Sequence, residues 1–247
     1  MSDVRSTWGR YSSAFAAEGT AAETRESIRR LIELCALREG ALVLDVATGA
    51  GYTAFAFART GCRVTPSDPT HEMLLATKQG WTERGFGGNA PCVEAWAEAL
   101  PFTDGSLDAV VSHRAPHQFA DADAFAREAA RIVKVGGVVA IADQSPPDGF
   151  EDWHNDLERM RDPTHEHARS PHEWLAVFEG AGLTVRATDV VYQSHDVEEW
   201  FDRVECPRER RVQARAMLEA IPEDVRDTYR YDGVRMRTPQ CVMVASL

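Results

Sequence analysis

Residues 43–53 read Val-Leu-Asp-Val-Ala-Thr-Gly-Ala-Gly-Tyr-Thr. An apolar run meets a glycine turn, and the turn opens into a helical pattern. The spacing predicts a strand over 41–47, a turn at Gly49-Ala50-Gly51 and a helix over 52–60. Glycine adopts positive φ without a Cβ clash and lets main chain approach a ligand closely. The first N–H groups of a helix lack intrahelical partners and face whatever lies beyond them. Such a turn holds a nucleotide-like molecule at the edge of a parallel sheet.

Two absences narrow the ligand. Tyr52, Thr53 and Ala54 follow Gly51, so the third glycine of the dinucleotide fingerprint is missing. No Gly-Lys-Ser/Thr follows either, which excludes a phosphate-gripping P-loop. What remains is Asp45-x-Ala47-x-Gly49-x-Gly51. Asp68 ends the next short apolar stretch, about 20 residues on, where a ribose would sit.

Beyond the turn, strand and helix patterns alternate. Strands are expected over 63–67 (with Pro66 removing one ladder donor), 91–95, 108–113 and 137–143. Helices are expected over 22–37, 70–84 and 122–134. In the last, Phe125, Ala129, Ile132 and Val133 share one face and Gly136-Gly137 supplies the stop. Residues 150–170 and 170–181 read as helices, 184–192 as a strand, 196–230 as largely helical and 239–246 as a final strand. This order implies an α/β fold, a Rossmann-like seven-stranded mostly parallel sheet with helices on both faces and a helical cap. The expected division is an N-terminal helical lid over 1–40, a core over 41–193, a cap insertion over 194–236 and a last core strand over 237–247.

The chain has 247 residues, enough to bury a substantial core. A net charge of −12 argues against nucleic-acid binding, which depends on Lys and Arg meeting phosphates. Arg208, Arg210, Arg211 and Arg215 are interrupted by Glu209 and read as a solvated helix face. No long apolar run crosses a membrane and the first residues carry no apolar signal core, so a cytoplasmic location is the expectation. Cysteines 35, 62, 92, 206 and 241 are scattered and form no CxxC pair, so free buried thiols are expected rather than disulfides or zinc. No metal is expected.

Further motifs follow in order: Glu98-Ala99-Leu100-Pro101-Phe102, Ala115-Pro116-His117-Gln118-Phe119-Ala120-Asp121, the run over 131–137 that ends in Gly136-Gly137, Arg161-Asp162-Pro163-Thr164-His165 and Glu173-Trp174. With the glycine turn, this set resembles the class I S-adenosylmethionine (SAM) methyltransferases, in particular small-molecule enzymes of the ubiquinone and menaquinone biosynthesis type. The resemblance covers residues 20–190. It implies methyl transfer from SAM to a small, partly apolar metabolite through an O, N, S or C acceptor. The acidic charge and the lack of a long apolar run lead to the expectation of no nucleic-acid or membrane partner, and a homodimer stands as one candidate assembly.

Residue by residue, the resemblance implies that Ala47, Thr48, Gly49 and Gly51 form the cofactor turn. Asp45 would organise that turn or accept from the cofactor's amino group. Asp68 would accept from the ribose, Met73 would cover the adenine, Ala97 and Glu98 would border its edge, and Ser112 would flank the methionine. Trp96 stands where many relatives carry an aspartate that accepts from the adenine amino group. An indole donates but cannot accept, so shielding or stacking is the alternative.

A base near the acceptor assists transfer to a hydroxyl, phenol or acidic carbon. His117 is the first candidate and His113 the second, with a hydrogen-bonded loop histidine as the bland alternative for His117. Arg114 could anchor an anionic substrate or pair with a surface acid. Asp143 could face the cleft or cap a turn. Tyr11, Phe15, Trp8, Trp153, Trp174 and Trp200 are candidates for an apolar pocket or for packing. His165 and His167 could reach the site from the cap, but a solvated helix face is the cheaper reading. Two alternatives to methyl transfer remain on sequence grounds: a cyclase or isomerase on the same fold, and a non-catalytic SAM-binding module.

Overall fold

The computed structural model describes residues 2–17, 22, 23 and 25–247. Residue 24, inside the helix expected over 22–37, lies outside the described residues. The chain runs α1 (Ser2–Ala16), α2 (Glu26–Cys35), β1 (Leu42–Val46), α3 (Tyr52–Arg59), β2 (Arg63–Asp68), α4 (His71–Glu83), β3 (Val93–Glu94) and β4 (Leu107–His113). It continues through α5 (Ala122–Ile132), β5 (Val133–Gln144), α6 (Glu151–Arg161), α7 (Pro171–Gly180) and β6 (Thr184–Asp196). The last elements are α8 (Val197–Asp202), α9 (Arg208–Glu219), α10 (Arg226–Tyr229) and β7 (Arg235–Ser246). The sheet order is β3-β2-β1-β4-β5-β7-β6. The first five strands are parallel, and β7 runs antiparallel to both β5 and β6.

Strand alternation sorts the apolar residues onto two faces. Leu44, Val46, Val110, Val139, Ile141 and Met243 pack with Phe125, Ala129 and Ile132 of α5 and Trp174 and Phe178 of α7. On the other face, Val43, Val111, Ala140, Ala142 and Val242 pack with Leu31 of α2 and Ala54 and Phe57 of α3. A parallel sheet covered on both faces explains why these strands read as near-continuous apolar runs. A separate cluster joins Tyr11 of α1, Leu157 of α6, Trp200 and Phe201 of α8, Leu218 of α9 and Tyr229 of α10. Among the described residues, no helix is long and apolar enough to cross a membrane.

Several local expectations are corrected, among them the helix over 150–170, which ends at Arg161 because Pro163 disfavours helical backbone at Asp162. Residues 133–134 leave the helix: α5 ends at Ile132 and Val133 already pairs with Leu107 of β4. Val133 is extended, at φ −78° and ψ 144°, as its pairing with Leu107 requires. Gly136, at φ +78°, therefore sits in a bulged strand and does not cap a helix. Pro66 lies within β2, opposite Asp45. The Ser67 carbonyl accepts from Thr48, so alternation turns the Pro66 nitrogen away from β1, towards β3, which is only two residues long. The closing strands also run further than expected, to Asp196 and from Arg235.

Helix starts follow side-chain chemistry. Ser170 accepts from Glu173 N–H while the Glu173 carboxylate accepts from Ser170 N–H, a capping box over Pro171. Asp121 and Asp196 cap α5 and α8 in the same way. Arg211 and Arg215 of α9 pair with Glu198, in keeping with a solvated face. Cys35, Cys62, Cys206 and Cys241 are buried thiols, whereas Cys92 is half-buried.

Gly51 has a packing reason. Its φ is +89°, and a Cβ there would lie 2.6 Å from Phe55 Cζ and 2.9 Å from Thr77 Cγ2. A Cβ on Gly80 of α4 would meet the same Phe55 ring at 2.8 Å, so that ring nests against glycines of two helices. Left-handed strain of about 1–2 kcal/mol and overpacking of about 1–3 kcal/mol add at this position. Gly51→Ala is expected to lower stability by about 2 kcal/mol or more, read as a shift in denaturant midpoint with an unchanged slope.

Candidate active site

A cavity of about 500 Å³ opens at the carboxyl ends of β1, β2, β4 and β5, under α1, α6 and α8. In an open α/β sheet this is where loops diverge and leave a crevice. The turn after β1 forms one wall. Ala47 is held at φ +54° and Gly49 at φ +56°. Left-handed backbone at a non-glycine such as Ala47 costs about 1 kcal/mol and persists only where its surroundings impose it. Here Thr48 N–H donates to Ser67 O at 2.8 Å, and Gly49 O accepts from Thr77 Oγ1 at 2.7 Å. At Gly49 an added Cβ would meet nothing within 4 Å. Its backbone therefore faces open space, in contrast with Gly51.

Two carboxyls bracket this turn with different tasks. Asp45 is buried below it and accepts from Thr48 Oγ1 at 2.6 Å. Burial raises its pKa to about 7, and Asp68 nearby adds to the rise. Asp45 does not line the cavity. Asp68 does, and it accepts from Gly49 N–H (Oδ2, 2.9 Å) and Thr70 N–H (Oδ1, 2.9 Å). Burial raises its pKa to about 6, against the lowering effect of those N–H groups. The Thr70 hydroxyl also bonds Asp68, and since a carboxylate has about four acceptor sites, one remains for a ligand's hydroxyl. Met73, Ala97, Glu98 and Trp96 line the same end. The Arg5 guanidinium of α1 stands 5.1 Å from the Trp96 ring centroid, a cation–π contact.

The opposite wall comes from β4 and β5. His113 Nε2 bonds Ser27 Oγ of α2 at 2.9 Å, and burial holds its pKa well below the usual value. It is therefore a neutral imidazole. Arg114 follows at φ +53°. The His117 ring sits over Asp143, with Nδ1 at 2.8 Å from Oδ1 and 3.1 Å from Oδ2. Asp143 also accepts from the His117 and Gln144 backbone N–H groups. Asp143 is thus both a partner for the imidazole and a clamp on the loop that carries it. The contact assigns the proton to Nδ1 and leaves Nε2 as the acceptor nitrogen. Gln118 accepts from Trp8 Nε1 at 2.8 Å, which ties α1 to this loop. Tyr52 donates to the Phe15 and Ala16 carbonyls and holds the end of α1.

The cavity thus gathers Ala47, Thr48, Gly49, Asp68, Met73, Trp96, Ala97, Glu98, His113, Arg114, His117, Asp143 and Phe15. Four expected residues lie off it. Asp45 and Gly51 support the turn from below, and Ser112 is buried with its hydroxyl on Val46 O. Tyr11 is buried among the cap helices and donates to Val204 O. Of the remaining aromatics, Trp8 and Trp200 line the cavity, Trp174 lies in the sheet core and Trp153 packs on Tyr229. His165 is not solvated. It is buried, bonds Asn155 Oδ1 at 2.6 Å and lies 5.5 Å from the His117 ring, and burial pushes its pKa far down. His167 is half-buried on Glu173.

Sequence reading missed Arg25, Glu158, Arg161, His195, Arg203 and Thr238, all of which line the cavity. They come from five separate stretches of chain, so no local spacing marks them. The polar face of α6, with Glu158 and Arg161 three apart, was the one available signal.

The family model for a methyltransferase domain matches residues 44–141. The chain is 30% identical over 206 residues to the uncharacterized methyltransferase YcgJ of Bacillus subtilis, spanning 83% of this chain and 81% of that protein. The crystal structure of YcgJ superposes with a TM-score of 0.83 over 89% of this chain and 97% of that one, at 27% identity. Over 123 residues, 48% of each chain, it is 37% identical to the ubiquinone/menaquinone biosynthesis C-methyltransferase UbiE of Pseudomonas putida. The [4+2]-cyclase SpnF shares the fold alone, at 17% identity and a TM-score of 0.64 over 89% of this chain and 82% of that one. The length and identity of the match to YcgJ carry the assignment: the chain belongs to the class I SAM-dependent methyltransferases.

Proposed function

We propose that this protein moves the methyl group of SAM to a small, partly apolar metabolite enclosed between the sheet and the cap helices. One observation carries this reading. A single cavity joins the open main chain at Gly49 and the Asp68 carboxylate to an imidazole, His117, held by Asp143. The residues at the first end fit the cofactor. Gly49 presents backbone to open space, and Asp68 keeps acceptor capacity for a ribose hydroxyl. Met73 and Trp96 offer apolar surface to the adenine, and Ala97 and Glu98 border it. When bound, SAM supplies an electrophilic methyl whose leaving group is the neutral thioether of S-adenosylhomocysteine.

The chain's own task is then alignment and exclusion of water, which can supply much of the rate in an in-line displacement. Trp8 and Phe15 of α1 and Trp200 of α8 form the cover. His117 Nε2 accepts the acceptor's proton as the new bond forms, and Asp143 stabilises the resulting imidazolium and keeps the ring oriented. His113, neutral and fixed on Ser27, shapes the wall between the two ends.

Binding of S-adenosylhomocysteine is expected to depend on pH through Asp68. A ribose hydroxyl donates to the carboxylate, so binding favours the ionised form. Affinity should be level above about pH 7 and fall up to about tenfold per pH unit below about 6. Asp68→Asn should weaken binding and flatten that profile in titration calorimetry.

Incubation with methyl-labelled SAM and a small-metabolite extract should yield a product heavier by one methyl, with S-adenosylhomocysteine formed in equal amount. A product of unchanged mass without SAM consumption would overturn the reading in favour of a cyclase. His117→Ala is expected to lower kcat by about 10²-fold or more, while the affinity for S-adenosylhomocysteine stays within about twofold.

A further inference from the structure

Arg25, Arg114, Arg161 and Arg203 all line the cavity, yet they come from the start of α2, the end of β4, the last turn of α6 and the segment after α8. Four unrelated stretches of a chain with net charge −12 thus bring guanidiniums to one enclosed space. They share a neighbour in His195, at the end of β6, whose Nε2 bonds Thr238 Oγ1 at 2.9 Å. Burial first, and then these four arginines, hold the His195 imidazole well below its usual pKa. All four and His195 line the same cavity, with His195 on its β6 side, across the sheet from Asp68.

The acids that line that side are Glu158, Glu166 and Asp143, and buried Asp162 adjoins Arg161 in the chain. Asp143 is engaged by His117 and two backbone N–H groups. Glu166 is exposed. Glu158 is buried, burial raises its pKa, and it forms a long ion pair with Arg161. Its nearest approach to Arg161 is 3.5 Å, and the buried Arg161 Nε–H has no hydrogen-bond partner among the described residues. That guanidinium is held by stacking on Trp200, 4.8 Å from the ring centroid. A buried donor without an acceptor costs free energy, and a planar guanidinium matches a carboxylate or phosphate through paired N–H bonds.

We propose that the acceptor molecule is an anion whose carboxylate or phosphate is bound by Arg161, with Arg114 and Arg203, beside Trp200. This rests on the methyl-transfer reading above and names the class of its substrate. The apolar part of the molecule would lie under Trp8 and Trp200, which leaves its nucleophile towards His117. The arginines supply no proton and form no covalent bond. They hold the anionic group, and the field of the cluster favours entry of anions into a protein that otherwise repels them.

The test is titration calorimetry with three probes of one shape: benzoate, phenyl phosphate and the uncharged benzamide. It is run on the ligand-free protein and on protein saturated with S-adenosylhomocysteine. At least one anion should bind at least about tenfold more tightly than benzamide, the ratio that one charge-assisted hydrogen bond provides. The tighter of the two anions identifies the group. Arg161→Met and Arg203→Met should each reduce that ratio severalfold while leaving the affinity for S-adenosylhomocysteine unchanged. Equal binding of benzamide and both anions, absence of anion binding at tens of millimolar, or a ratio untouched in both variants would overturn the proposal. Failure of S-adenosylhomocysteine to bind in the same titrations would instead remove the cofactor reading, and the probe ratio on the ligand-free protein would still decide the anion question.

Discussion

The bond from Gly49 N–H to Asp68 Oδ2, 2.9 Å long, is the contact on which the site depends. It joins the turn after β1 to the end of β2 and turns the Gly49 backbone towards the cavity. Its strength comes from an ionised acceptor in a poorly solvated place. The same burial raises the pKa of Asp68, so the contact is poised near the edge of its own ionisation range. Asp45 stays beneath as a buried support through Thr48, and that burial raises its pKa higher still. The left-handed backbone at Ala47 is held in place by these bonds.

Much of this was legible in the chain because it is local. Strand alternation and the positions of Gly49, Gly51 and Asp68 announce the β1 turn, and Ser170 with Glu173 announces α7. The seven-stranded, mostly parallel sheet follows from the same patterns, whereas the antiparallel direction of β7 does not. What escaped is set by tertiary contact. Gly49 and Gly51 look alike in sequence, yet the Phe55 ring explains one and open space the other. A helix stop read from Gly136-Gly137 gives way to an earlier exit, because Val133 gains a partner in Leu107 across the sheet. His165 has the composition of a surface residue but is buried by its bond to Asn155. Tyr11 faces the cap helices and not the cavity, a direction that a weakly periodic segment does not encode.

The two ends of the cavity differ in origin. One is written in consecutive residues of a parallel sheet edge. The other is assembled from α1, α6, α8 and the β6–β7 pair, and its arginines share no motif. The match to UbiE spans 123 residues, 48% of this chain. The elements that select an acceptor are those in which relatives of this fold are free to differ. Methyl transfer asks little chemistry of its protein beyond position and dryness.

The central claim is that open backbone at Gly49, fastened by Asp68, is the cofactor seat. Calorimetry of Gly49→Ala with S-adenosylhomocysteine tests it most directly. A Cβ there has no protein neighbour within 4 Å, so it enters only the space assigned to the ligand. The account predicts a melting temperature lowered only by the strain of about 1 kcal/mol expected for left-handed alanine. It also predicts affinity reduced at least about tenfold. Affinity equal to that of the native protein, in a variant that folds, would contradict it.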